Sequence, residues 1–245
     1  MHQIKCSEIW GGNRASDTDV CTSAVTASLF SVGAEGGKGG DIYYFSVCGS
    51  DVLTRIAIAD VVGHGQAVSE TSQWLYDSIA AHMNSHDGDA VLEDVNKLAK
   101  DRGFGAITTA EVITFNKQNS RMHFTSAGHP PALVKRKGIE GWEKVLIKNP
   151  EGKNIPLGVL DDPHYDEQSI PLESGDMLFL YTDGVIEAPC KDGNLFGMDR
   201  LMNVLEKNGH HSLEEIKGAV LDELHNNGEN SFEHDDVTFM SIKVT

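Results

Sequence analysis

Four aspartates stand at the ends of apolar, strand-like runs, each beside a glycine or a second aspartate. They are Asp41 in Gly39-Gly40-Asp41, Asp60 after Ile56-Ala57-Ile58-Ala59, Asp183 in Leu180-Tyr181-Thr182-Asp183-Gly184, and Asp235 or its neighbour Asp236 ahead of Val237-Thr238-Phe239-Met240. Carboxylates are depleted from strands and seldom fully buried unless paired or bound to metal. Four of them at strand ends point to one shared task, holding hard divalent cations with oxygen ligands. A switch from strand to loop after Asp60 lets the Val61 backbone carbonyl face the same point as the Asp60 side chain. Asp183 has the same layout, and Gly184 permits the chain to turn away tightly. Any one of these aspartates alone would sooner be read as an Asx-turn or a helix cap. Their combination carries the inference.

Other chemistries find no foothold. Gly33 to Lys38 falls one residue short of a phosphate-binding P-loop, and Gly39 stands where that loop needs Ser or Thr. Gly63-His64-Gly65 lacks the third glycine of a dinucleotide fingerprint, and no G-x-S-x-G nucleophile elbow occurs. Asp17-Thr18-Asp19 and His86-Asp87-Gly88-Asp89 do not continue into a calcium-loop pattern and read as solvated loops. His210-His211 reads as a loop before a helix cap. The net charge of −17 argues against nucleic acid and anionic membrane as partners, since both require a basic face. No apolar stretch approaches the ~20 residues of a membrane span, and no leader-like segment follows Met1. Cys6, Cys21, Cys48 and Cys190 are scattered without C-x-x-C spacing, so a reducing cytoplasm is expected.

The elements that position the aspartates follow from periodicity. Strands are predicted over Ile4–Trp10, Val25–Val32, Ile42–Val47, Leu53–Ala59, Ala106–Phe115, Arg121–Ser126, Pro131–Arg136, Trp142–Ile147, Asp176–Tyr181 and Val237–Val244. A polar loop is expected through Asp17 and Asp19, a glycine-rich turn over Gly33–Gly40, and a turn at Gly49-Ser50-Asp51. Helices are expected after the Asp60 loop through Asn84, then over Ala90–Lys100, Leu195–Leu205 and Ser212–His225, the last opened by a Ser212/Glu215 capping box. Strands, two helices, strands, two helices and a closing strand do not make a βαβ alternation. The expected fold is α+β, an antiparallel β-sandwich flanked by helices, in one domain over residues 1–245.

The neighbours of the four aspartates add a resemblance. Gly39-Gly40-Asp41, Ala59-Asp60-Val61-Val62-Gly63-His64-Gly65, Ser126-Ala127-Gly128-His129-Pro130-Pro131, Pro156-Leu157-Gly158-Val159, Gly175-Asp176 leading to Leu180–Ala188, Phe196-Gly197 and Asp235-Asp236-Val237-Thr238 occur in this order. The set resembles the metal-dependent serine/threonine protein phosphatases of type 2C (PPM), closest to the bacterial SpoIIE/RsbU-type branch. The likeness runs from about residue 24 to the C-terminus and implies a four-layer αββα sandwich.

Carried over by position, the resemblance implies two divalent cations, Mn²⁺ or Mg²⁺, bridged by Asp60. Asp183 and Asp235 would complete one shell; Asp41, through water, and the Val61 carbonyl would serve the other. Asp235 and Asp236 are adjacent and not separable on sequence, so both are candidate ligands. The catalytic set is then Asp60, Asp183 and His64. Val62 occupies the place where many relatives carry a histidine, His64 lies two residues further on, and Arg14 matches the family's phosphate-gripping arginine poorly. His129 reads as part of a turn. The implied activity is hydrolysis of phosphoserine or phosphothreonine on a regulatory protein such as a STAS-domain anti-anti-sigma factor. A partner-binding pseudophosphatase and a small phosphate-ester hydrolase are the alternatives. The family's two middle helices take part in regulation, through a regulatory partner or a second copy. The polar start of the first, Ser69 to Gln73 with Trp74 following, reads as an exposed, contactable face, with a fixed packing helix as the alternative.

Overall fold

A computed structural model describes residues 1–34, 36–48, 51–83, 87–147, 155–228 and 232–245. The first half runs β1 (His2–Gln3), β2 (Ile9–Arg14), β3 (Ser16–Cys21), β4 (Val25–Val32), β5 (Lys38–Val47), β6 (Leu53–Val61), α1 (Ser69–His82) and α2 (Gly88–Arg102). Then come β7 (Thr108–Asn116), β8 (Arg121–Ala127), β9 (Leu133–Lys135), β10 (Glu143–Lys144), β11 (Glu167–Pro171) and β12 (Met177–Tyr181). The chain closes with α3 (Asp183–Ile186), α4 (Gly197–Asn208), α5 (Leu213–Asn227) and β13 (Val237–Val244). Two sheets result, β1-β3-β4-β13-β12-β9-β10 and β11-β8-β7-β6-β5-β2. Every pair of neighbouring strands is antiparallel except β1 with β3.

The layering can be read from β6. Ile56 and Ile58 point between the sheets and pack with Tyr43, Phe45, Leu29, Leu180 and Met240. Ala57, Ala59 and Val61 point the other way, against Leu75, Ile79, Leu92 and Val95 of α1 and α2. Period-2 alternation thus places branched side chains in the sandwich core and alanines where helices lie close. On the outer face of the other sheet, Phe179, Tyr181 and Phe239 pack against Leu201, Leu205, Ile216 and Val220 of α4 and α5. The order helices, sheet, sheet, helices is the four-layer sandwich expected. The Ser212/Glu215 capping box opens α5 as anticipated.

Several elements differ from the sequence reading. Ser16–Cys21 is a strand in full register with β4, not a polar loop. Its aspartates escape the apolar pattern of a buried strand because Lys217 of α5 lies over Asp17 and Asp19. The edge strand Glu167–Pro171 was hidden by its polar sequence, and only Glu143–Lys144 of the expected Trp142–Ile147 strand pairs. The start of α1 is exposed only in part, at Glu70, with Thr71, Gln73 and Trp74 half-buried. Ser69 and Ser72 are buried; the Asn13 side chain donates to the Ser69 carbonyl and to the Ser72 hydroxyl, and Ser72 donates to the Gly39 carbonyl. The expected turn at 49–51 and the first residue of His86–Asp89 fall partly outside the described residues. Among the described residues no disulfide joins any of the four cysteines, and no helix is long and apolar enough to cross a membrane.

Candidate metal centre

Adjacent strands bring the first two aspartates face to face. In the β5–β6 ladder Asp41 is the partner of Asp60, so their Cβ atoms lie about 5 Å apart by the geometry of antiparallel pairs. Asp41 is buried; one of its oxygens accepts a hydrogen bond from the Thr182 hydroxyl (2.8 Å), while Oδ1 has no partner. Asp60 is half-buried at the end of β6. Val61, the last residue of β6, turns its carbonyl towards Gly40, where a Cβ would come within 3.0 Å of that oxygen. Asp183 opens α3, and Asp235 lies half-buried ahead of β13 with one oxygen accepting from the Asp236 N–H (2.8 Å).

Asp236 behaves differently from its neighbour. Its buried carboxylate accepts from three backbone N–H groups: Ala34 (2.8 Å), Gly40 (2.5 Å) and Gly65 (3.1 Å). One side chain thereby ties the turn before β5, the start of β5 and the loop after β6. The Gly39-Gly40 pair is explained by this knot, since a Cβ on Gly39 would lie 2.5 Å from the Asp236 carboxyl carbon. Gly184 is needed equally, because a Cβ there would meet the Asp236 carbonyl at 2.1 Å.

The electrostatics report a centre short of positive charge. Burial, then the carboxylates of Asp41, Asp183, Asp235 and Asp236, push the pKa of Asp60 up to about 10. Burial raises Asp41 well above the ordinary range, with Asp236 and Asp183 adding to it against hydrogen bonds from Thr182 and Thr238. Asp183 and Asp235 are raised chiefly by burial. No three His, Cys, Asp or Glu side chains among the described residues form a ready cage, as expected of like charges that nothing draws together. The donor set nevertheless fits hard cations: all-oxygen, with an orphaned buried carboxylate oxygen and a raised affinity for positive charge.

The histidines divide by environment. His64 is exposed, stands in extended conformation before the short 3-10 turn over 65–68, and lies close enough to Asp235 to lower its pKa. His129 is buried, bonded to the Thr109 hydroxyl (2.9 Å), and burial pulls its pKa down to about 3, so it is neutral and part of the turn after β8. Sequence reasoning overlooked His234, whose Nε2 bonds to the Gly184 carbonyl (2.9 Å) and whose field lowers Asp183. It also overlooked Thr182 as the residue that orients Asp41, although Thr182 lies inside the Tyr181-Thr182-Asp183-Gly184 motif. Trp74 is half-buried beside the α1/α2 core, with the Arg102 guanidinium 4.6 Å from its ring centroid.

Residues 50–245 match the family of Stage II sporulation protein E (SpoIIE). The chain belongs to the SpoIIE family. Asp41 lies just ahead of the matched residues. The chain is 27% identical over 187 residues to the phosphoserine phosphatase RsbU of Bacillus subtilis, covering 76% of this chain and 53% of that protein. It thus spans about half the length of that curated relative. Among solved structures, the PP2C phosphatase domain of B. subtilis SpoIIE superposes with a TM-score of 0.74 at 20% identity, over 89% of this chain and 63% of the other. RsbX in complex with magnesium superposes with a TM-score of 0.69 at 19% identity, over 93% and 99%. At such identities these two likenesses speak for the fold, which is the PP2C sandwich.

Proposed function

We propose that this SpoIIE-family chain, read as one domain over residues 1–245, is a protein phosphatase that hydrolyses phosphoserine or phosphothreonine on a regulatory protein, using two Mn²⁺ or Mg²⁺ ions. The observation that carries the reading is the pairing of Asp41 with Asp60 across β5 and β6, beside the Val61 carbonyl, where burial raises the pKa of Asp41, Asp60, Asp183 and Asp235. Asp60 would bridge the two ions. Asp41 and the Val61 carbonyl would serve one, Asp183 and Asp235 the other. Asp235 is assigned over Asp236 because the latter's oxygens are already engaged by three backbone N–H groups. When bound, two such ions supply an activated water nucleophile and draw charge from the phosphoryl oxygens during in-line displacement.

The chain's own residues supply the rest. Thr182 fixes the rotamer of Asp41, and Asp236 holds the loop after Asp60 against the start of β5. His64, exposed and near enough to Asp235 to lower its pKa, is our candidate to hand a proton to the leaving serine or threonine oxygen. The relative RsbU is named a phosphoserine phosphatase, and RsbX was solved with magnesium, which supports both the reaction and the metal class. A phosphorylated STAS-domain protein of a partner-switching pathway is the proposed substrate, the cytoplasm the proposed location, and the α1–α2 pair the proposed contact for a regulatory partner or a second copy. Phosphate release from a phosphoserine STAS-domain protein should require Mn²⁺ or Mg²⁺, stop with chelator and return on readdition. Full turnover in chelator would sink the reading.

A further inference from the structure

An exposed apolar rim borders the metal centre. Phe104 is 89% exposed, Val62 52%, Leu160 40% and Val159 39%. Phe104 sits between two glycines at the end of α2. Gly103 has a φ of +94°, and a Cβ on Gly103 or Gly105 would meet nothing within 4 Å, so the turn lifts the ring away from the molecule. The rim is held firmly from beneath. The Phe104 carbonyl accepts from the Ile107 N–H (3.3 Å), and the Ile107 carbonyl accepts from the Val62 N–H (2.9 Å), next in the chain to Val61. Leu157 and Thr108 exchange two backbone hydrogen bonds. Buried Asn96 grips the following loop, accepting from the Gly158 N–H (2.9 Å) and donating to the Leu160 carbonyl (3.0 Å); Lys100 donates to the Val159 carbonyl (3.0 Å).

Exposed apolar side chains on a hydrogen-bonded base mark a contact surface, and an aromatic ring free of local packing is the kind of side chain that anchors one. Its place indicates the occupant. A phosphoseryl group brought to Asp60 and Asp183 carries its protein's surface over Val62 and onto this rim. Long-range charge does not recruit such a partner, because the chain has 37 acidic against 20 basic residues and the phosphoprotein is itself anionic at the site. Short-range apolar contact must supply that selectivity. We infer that Phe104, with Val62, Val159 and Leu160, is the docking surface for a folded phosphoprotein substrate, the Phe104 ring entering an apolar depression beside the phosphoserine. This rests on the phosphatase reading above.

The test compares wild type, Phe104→Ser and Ile139→Ser, the last an exposed apolar residue in the β9–β10 connection outside the rim. Each is assayed with Mn²⁺ on p-nitrophenyl phosphate and on a phosphoserine STAS-domain protein. Phe104→Ser should lose about tenfold or more in kcat/KM on the phosphoprotein, mainly through KM, roughly 1.4 kcal/mol of docking energy. It should stay within about twofold of wild type on the aryl phosphate, and Ile139→Ser should match wild type on both. Equal losses on both substrates, no loss on either, or a wild-type dimer that Phe104→Ser dissociates would each overturn the docking surface. Wild type that turns over the aryl phosphate but not the phosphoprotein overturns the substrate class and this surface with it. Wild type inactive on both overturns the phosphatase reading itself.

Discussion

Asp41 and Asp176 are equally hidden, at 3% and 4% exposure, and both follow a glycine in a short motif, yet their surroundings are opposite. Asp176 accepts from the Lys137 N–H (2.7 Å), the Glu173 N–H (3.0 Å) and the Arg136 guanidinium (3.0 Å). Burial pushes its pKa up, but these donors outweigh burial and hold it below the ordinary carboxylate value. Asp41 has threonine hydroxyls as its donors, no partner on Oδ1, and no cationic or backbone donor to offset the carboxylates around it. One region satisfies a buried charge from within the chain; the other leaves it to be satisfied from outside. A turn-forming aspartate and one proposed to bind metal thus differ in their donors, not in their burial.

The sharpest way to break this contrast is to remove the proposed bridge. Asp60→Asn should cost about 10⁴-fold in kcat on p-nitrophenyl phosphate, roughly 5.5 kcal/mol. Its metal-free stability should equal or exceed wild type, since the amide spares the folded protein the proton that the raised pKa of Asp60 makes it take up. A variant that keeps more than about a tenth of the wild-type kcat contradicts the bridging role. The mirror experiment is Asp176→Ala, which should lose about 3 kcal/mol of stability by stranding two N–H donors and Arg136. Its activation by Mn²⁺ should be unchanged. The depressed pKa means that this stabilisation is present above the ordinary carboxylate pKa and lost as pH falls through the lowered value. Denaturant titrations at neutral pH and near pH 3 would show the difference.

Glu111 extends the comparison to a buried carboxylate lacking both a basic partner and a cluster. It lies between the sheets, and burial lifts its pKa to about 8. A raised carboxylate pKa makes the folded state hold a proton that the unfolded state has released, so wild-type stability declines as pH rises from the ordinary value towards 8. Glu111→Gln has no such proton, and its stability relative to wild type should grow by roughly 2 kcal/mol between pH 6 and pH 7.5. Parallel pH profiles would contradict the assignment. The smallest effect is expected at Trp74→Ala. It strips a half-buried ring from beside the α1/α2 core and leaves Arg102 without its stacking partner. Because α1 is pinned to Gly39 through Ser72, a shift of the helix reaches the Asp41 strand. A few-fold weaker Mn²⁺ activation, about 1 kcal/mol, is expected in a folded protein, and a titration identical to wild type refutes the coupling.

The sandwich and the gathering of the aspartates were legible because each aspartate stands beside an apolar run that becomes a strand of the sandwich. What was not legible depended on partners far away in sequence. Ser16–Cys21 reads as loop until Lys217 is placed over its aspartates, and the polar start of α1 reads as exposed until Asn13 and Gly39 are placed beside it. Asp235 and Asp236 are alike as residues; only the three N–H groups gathered around Asp236 distinguish them. His234 carried no spacing signal, because its contact is to a backbone carbonyl fifty residues away.

The proposed centre has these carboxylates holding two cations with Asp60 between them. Anomalous scattering from a crystal soaked in Mn²⁺ tests it directly. Two peaks about 3.5–4 Å apart are expected, both within bonding distance of Asp60, one also against Asp183 and Asp235 and the other beside the Val61 carbonyl and Asp41. A single peak away from Asp60, or none at saturating Mn²⁺, would contradict it.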